Sequence, residues 1–183
     1  MTDWADIIYR VNDQDEIVFV NQEWDRFAAA NAGEAVMSSR VLRRPLWDFI
    51  VDSTTQELYG QILKRVRGGR SLRFTFRCDS PRSRRLLAME VGRAQDGTVA
   101  FCTRTLSEEP RQPPALLAPS AARSNELLRV CAWCEKVSVG GSWVEVEEAV
   151  ARLRLFESSL LPLMTHGICE QCRQNMAEIL AKS

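Results

Sequence analysis

DIIYRVNDQDEIVFVNQEWDRFAAANA, residues 6–32, is the stretch on which the reading of the fold turns. Two short runs rich in β-branched and aromatic residues, DIIYRVN (6–12) and EIVFVN (16–21), flank the turn formers NDQD. Strand formers on either side of a polar turn predict an antiparallel hairpin. Asn21 ends the second run, and its side chain can cap the helix predicted to follow, where Trp24, Phe27 and Ala28 recur at helical spacing. Gly33 is placed to stop that helix.

Beyond it, PLWDFI (45–50) is a short apolar segment with Pro45 suited to a first helical turn. STTQELYGQILKRVRGG (53–69) predicts an amphipathic helix. Ser53 or Thr54 would cap it, Leu58, Ile62 and Val66 share one face, and Gly68-Gly69 end it. In SLRFTFRCD (71–79), Leu72, Phe74, Phe76 and Cys78 alternate with polar residues, as in a half-buried strand. Two further strands are expected, RRLLAMEVGRA (84–94) and TVAFCTRTL (98–106), with a turn at Asp96-Gly97. Two strands, several helices and three strands predict an α+β domain with a five-stranded antiparallel sheet and helices on one face.

That order, with the spacing Ile17, Asn21, Trp24, Phe27, resembles the PAS sensor family over residues 4–106. The resemblance implies a sheet and helices around a pocket, small-molecule sensing or dimerisation, and signalling to a separate output. It implies no flavin or haem: the cysteine motif of flavin photosensors is missing, and His166, the single histidine, lies outside the domain. The pocket's ligand is unknown from sequence, and a filled core used only for dimerisation is the alternative.

SEEPRQPPALLAPSAA (107–122) reads as a solvated linker between a domain at 1–106 and a module at 123–183. The module holds VCAWCEKVSVGGSW (130–143) and THGICEQCRQNMAEIL (165–180). Each C-x-x-C pair lets two thiolates reach one ion, so Cys131, Cys134, Cys169 and Cys172 predict a tetrahedral metal site, one Zn2+ per chain. Four thiolates also suit iron. His166 is the rival ligand and would displace one cysteine. An amphipathic helix is expected over VEVEEAVARLRLF (144–156), and a second helix opens at the last cysteine pair, where amide donors favour thiolate charge. Knuckle, hairpin and helix resemble a treble-clef zinc finger, and the phrase pattern resembles a cysteine-rich module appended to bacterial PAS, response-regulator and sensor-kinase proteins. Such a module is expected to lean on its metal, so Cys134→Ser should unfold residues 125–183 and leave the first domain folded.

Lys and Arg balance Asp and Glu at 24 each, which argues against broad nucleic-acid binding. Arg77, Arg82, Arg84, Arg85 and Arg93 surround one turn and read as a solvated sheet edge, with an acidic partner surface as the sharper alternative. Cys78 is read as a small core residue; the parity of Cys102 is ambiguous. Trp133, Trp143, Leu153 and Phe156 are candidates either for the module's own core or for a partner contact. With one histidine and no nucleophile–base pair, no enzyme is expected. The N-terminus carries no basic secretory pattern, so a cytoplasmic location is expected. The sequence therefore points to a non-catalytic sensor acting through a protein partner or homodimer. A thiol-based redox sensor and a nucleic-acid-binding zinc finger are the alternatives.

Overall fold

β1 (Ile7–Val11) and β2 (Ile17–Val20) pair antiparallel, with Tyr9 opposite Val20 and Arg10 opposite Phe19. The chain reverses between them through Asp15 at φ 62. This is a computed structural model, and it describes residues 7–118, 121–157 and 160–182. Asn21 accepts a hydrogen bond from the Trp24 amide at the start of α1 (Gln22–Ala30) and another from the Ile8 amide, so one side chain joins helix cap to hairpin. Ile17 is buried, the Trp24 ring meets Tyr9 edge-on at 5.5 Å, and the Arg85 guanidinium lies over Phe27 at 5.3 Å. The spacing that carried the resemblance is thus a set of contacts between hairpin, helix and sheet.

A short helix α2 (Ser38–Val41) and a 3-10 turn at Leu46–Phe49 lead to α3 (Ser53–Arg67). The cap of α3 is Asp52 rather than Ser53 or Thr54. Its carboxylate accepts from the Thr55 amide at 2.7 Å and hydroxyl at 2.8 Å, and its own backbone is extended. Leu58, Ile62, Leu63 and Val66 are buried, each contributing about 1.5–3 kcal/mol of apolar transfer.

β3 (Leu72–Arg77), β4 (Ser83–Arg93) and β5 (Val99–Pro110) complete an antiparallel sheet in the order β2-β1-β5-β4-β3. This is the PAS-like α+β arrangement. The inner face carries Tyr9, Phe74, Met89, Val91 and Phe101, all buried. Between sheet and helices, Tyr9 stacks on Phe101 at 4.5 Å and Tyr59 lies 6.0 Å from Phe101.

The stretch read as a linker holds regular structure in two places. β5 runs through Pro110, pairing Ser107, Glu108, Glu109 and Pro110 with β4, and Leu116 in a 3-10 turn is fully buried. Its apolar Leu pair is what draws it down: Leu116 enters a core with Leu128, Val130 and Val144. Residues 119–120 lie outside the described residues.

The C-terminal half builds a second sheet, order β8-β7-β6-β9, from β6 (Arg123–Cys131), β7 (Val137–Val139), β8 (Ser142–Val144) and β9 (Leu161–Gly167). β6 and β9 are parallel, while β7 and β8 form a hairpin turned by Gly140 and Gly141 at φ 57 and 82. Left-handed backbone at both turn positions suits glycine. The helix expected over 144–156 is shorter: α4 spans Val146–Arg152, Arg154 takes φ 51, and a 3-10 turn follows at Leu155–Glu157. α5 (Glu170–Lys182) closes the chain.

Candidate metal centre

Cys131 ends β6, and the chain turns back through Glu135 at φ 60, closed by hydrogen bonds from Glu135 N–H to the Cys131 carbonyl at 2.9 Å and from Cys131 N–H to the Lys136 carbonyl at 2.8 Å. This knuckle brings Cys134 beside Cys131. β9 returns parallel to β6, pairing Cys131 with Gly167, which sets Cys169 next to the knuckle. The Arg129 guanidinium lies over Gly167, 2.7 Å from where a side chain's first carbon would stand, and as the end of a flexible, exposed side chain it can move aside. Cys172 stands one turn into α5.

The four sulfurs lie within 4.8 Å of one another. Cys131, Cys169 and Cys172 are buried and Cys134 is half-buried. The Cys134 and Cys169 sulfurs are 3.8 Å apart. Four sulfurs at about 2.3 Å from one ion stand about 3.8 Å from each other along a tetrahedral edge, so this separation fits a shared metal. A disulfide would need about 2.05 Å. The Cys169 amide donates to the Cys131 sulfur and the Cys172 amide to the Cys169 sulfur, both at 3.4 Å. Among thiols alone, hydrogen bonds from Cys134 and Cys172 hold the Cys131 thiol far below its ordinary range, and Cys134 is pushed up to about 12 by its bond to Cys131. Crowded sulfurs resist carrying four negative charges without a cation; with one, they form a centre able to hold a metal ion.

His166 is exposed on β9, opposite Val130, and is not part of the four-sulfur group. Cys78 is half-buried rather than a core residue; burial foremost, then the Glu135 carboxylate, pushes its thiol up to about 11. Phe101 and Thr103 are buried, so the strand alternation turns Cys102 to the other face of the sheet.

The centre is joined to the first domain. The Arg77 amide on edge strand β3 donates to the Trp133 carbonyl at 2.8 Å. The Trp133 ring lies 5.1 Å from Phe74 and 6.2 Å from Tyr59. Trp133 therefore packs against the first domain as well as within its own module. Cys131, Cys169, Cys172, Met176 and Leu180 share one core cluster with Leu72, Phe74 and Phe101. The sequence missed this because strand periodicity shows which face is apolar but not what covers it. Of the arginine set, Arg82 and Arg93 are exposed, as expected of a solvated edge, whereas Arg77, Arg84 and Arg85 are not. Arg77 binds Glu145 at 2.8 Å and also Asp79, Arg84 pairs with Glu147, and Arg85 with Glu108 at 2.9 Å. For Arg77 and Arg84, an acidic partner surface is supplied by the chain's own C-terminal half.

No protein-family model matches this chain, and no curated protein matches its sequence. Among solved structures it is similar to a sensory box sensor histidine kinase from Vibrio cholerae, at 11% identity and a TM-score of 0.40, covering 57% of this chain and 84% of that one. The PAS-like description therefore rests on the chain's own strand order and helix placement.

Proposed function

We propose that the chain is a cytoplasmic, non-catalytic signalling protein, in which a PAS-like sensing or dimerisation domain is tied to a C-terminal module held by one structural zinc. The observation that carries this is the set of four sulfurs within 4.8 Å of one another, at the junction of knuckle and helix. An all-sulfur shell suits zinc and leaves no position for a reacting water. Zinc binding at such a shell releases thiol protons and stabilises the fold that holds it. Output then passes through a protein partner or a homodimer.

The test is metal analysis of the full chain purified without added metal, together with Cys134→Ser. One zinc per wild-type chain and a sharp loss in the variant support the reading. Iron at full occupancy, or unchanged zinc in the variant, would sink it.

A thiol-based redox sensor is the second reading. It is favoured by the 3.8 Å approach of the Cys134 and Cys169 sulfurs, which need move only a short way to bond once an ion leaves. Zinc release by mild peroxide, reversed by a thiol reductant, would move it to the front. The balanced charge weighs against the nucleic-acid reading.

A further inference from the structure

Trp133 lies between two metal-ligating positions, Cys131 and Cys134, yet its ring rests in the interior of the PAS-like domain, only 7% exposed. It extends that domain's aromatic row: Tyr9 on Phe101, Phe101 near Tyr59, Tyr59 and Phe74 on Trp133. The Arg77 N–H bond to its carbonyl adds the knuckle to the edge of the sheet. The position of this ring is therefore set by a five-residue turn with left-handed backbone at Glu135, whose ends a metal would clamp from both sides. Remove the cation and the crowded thiols have no common partner, leaving the turn to its backbone hydrogen bonds: Cys131 with Lys136, Glu135 with Cys131, Ala132 with Gly167 and Arg77 with Trp133.

We propose that metal occupancy at the four-cysteine centre determines whether Trp133 is seated in the PAS-like domain, so that the centre is a latch on the sensor core. This rests on the reading that the centre binds metal. Loss of the ion withdraws the indole and opens the space between Phe74 and Tyr59. Linkage makes the coupling mutual: whatever seats Trp133 tightens the metal, and whatever competes for that space weakens it.

The experiment uses the full chain loaded with zinc, with Trp133→Phe as reference, because Trp4, Trp24, Trp47 and Trp143 also emit. The wild-type minus Trp133→Phe emission isolates Trp133. It is expected to be blue and shielded from acrylamide with zinc, red-shifted and quenchable after chelation, and restored by zinc. If zinc leaves and that component stays blue and shielded, the latch is overturned. If the chain takes up no zinc at all, metal analysis shows that the metal reading itself has failed. Phe74→Leu, which replaces no metal ligand and keeps an apolar side chain, is expected to weaken zinc about three- to tenfold against a competing chelator, the span of one buried ring pair. Unchanged affinity in that variant also overturns the latch.

Discussion

Asp79, with its side chain 4% exposed, accepts hydrogen bonds from the guanidinium groups of Arg77 and Arg111 and from the Arg85 amide. Removing one member of such a cluster leaves buried charge without a counterpart, at about 3–5 kcal/mol. Asp79→Ala is expected to lower stability by that amount in urea unfolding; a loss under about 1 kcal/mol would show that the arginines find water instead. Glu135 shows the opposite behaviour. Burial, then the Asp79 carboxylate, pushes it from 4.5 up to about 7. Its protonated form is the one the fold accepts, so its contribution is complete below about 4.5 and is lost as pH rises through about 7. Glu135→Gln should therefore gain on wild type in thermal melts between pH 5 and pH 8, and an equal difference at both would refute the burial. Neither role was legible beforehand. Both residues look like ordinary surface acids in sequence, and only the folded chain desolvates them.

At the scale of elements, α5 shows how one helix serves two purposes. Cys172, Met176 and Leu180 recur every four residues and are all buried, so one stripe carries both a ligand and the contact with the first domain. Met176 is 1% exposed, and Met176→Ala should cost about 2–5 kcal/mol in urea unfolding, with a smaller loss expected if the site collapses. The strands were readable because a half-buried strand must alternate, as Leu72 and Phe74 do with Arg73 and Thr75. The α3 cap was not, because Asp52, Ser53 and Thr54 can all cap. The choice falls to Asp52 through its extended backbone, φ −80 and ψ 125. The helix expected over 144–156 overran its true end because its apolar spacing continues past Arg152, where left-handed Arg154 breaks the ladder.

At the scale of the whole molecule, the expectation that Cys134→Ser would spare the first domain has to change. Residues from both halves form one core, and ion pairs Arg77–Glu145 and Arg84–Glu147 cross between them. The metal-loaded chain should thus unfold in a single transition by far-UV and near-UV probes, and two separated transitions would show the halves to be independent. What the sequence determined alone was local: strand alternation, the Asn21 cap, the two C-x-x-C pairs and the order of elements in the first domain, each set by residues close together in the chain; β6 and β9 went unread. What only the tertiary structure decided was which surfaces meet. Edge strand β3 is covered by the metal knuckle, Trp133 turns into the neighbouring domain, and the linker's Leu116 is buried. Apolar burial is non-directional, so periodicity marks a face that must be covered without naming the residues that cover it.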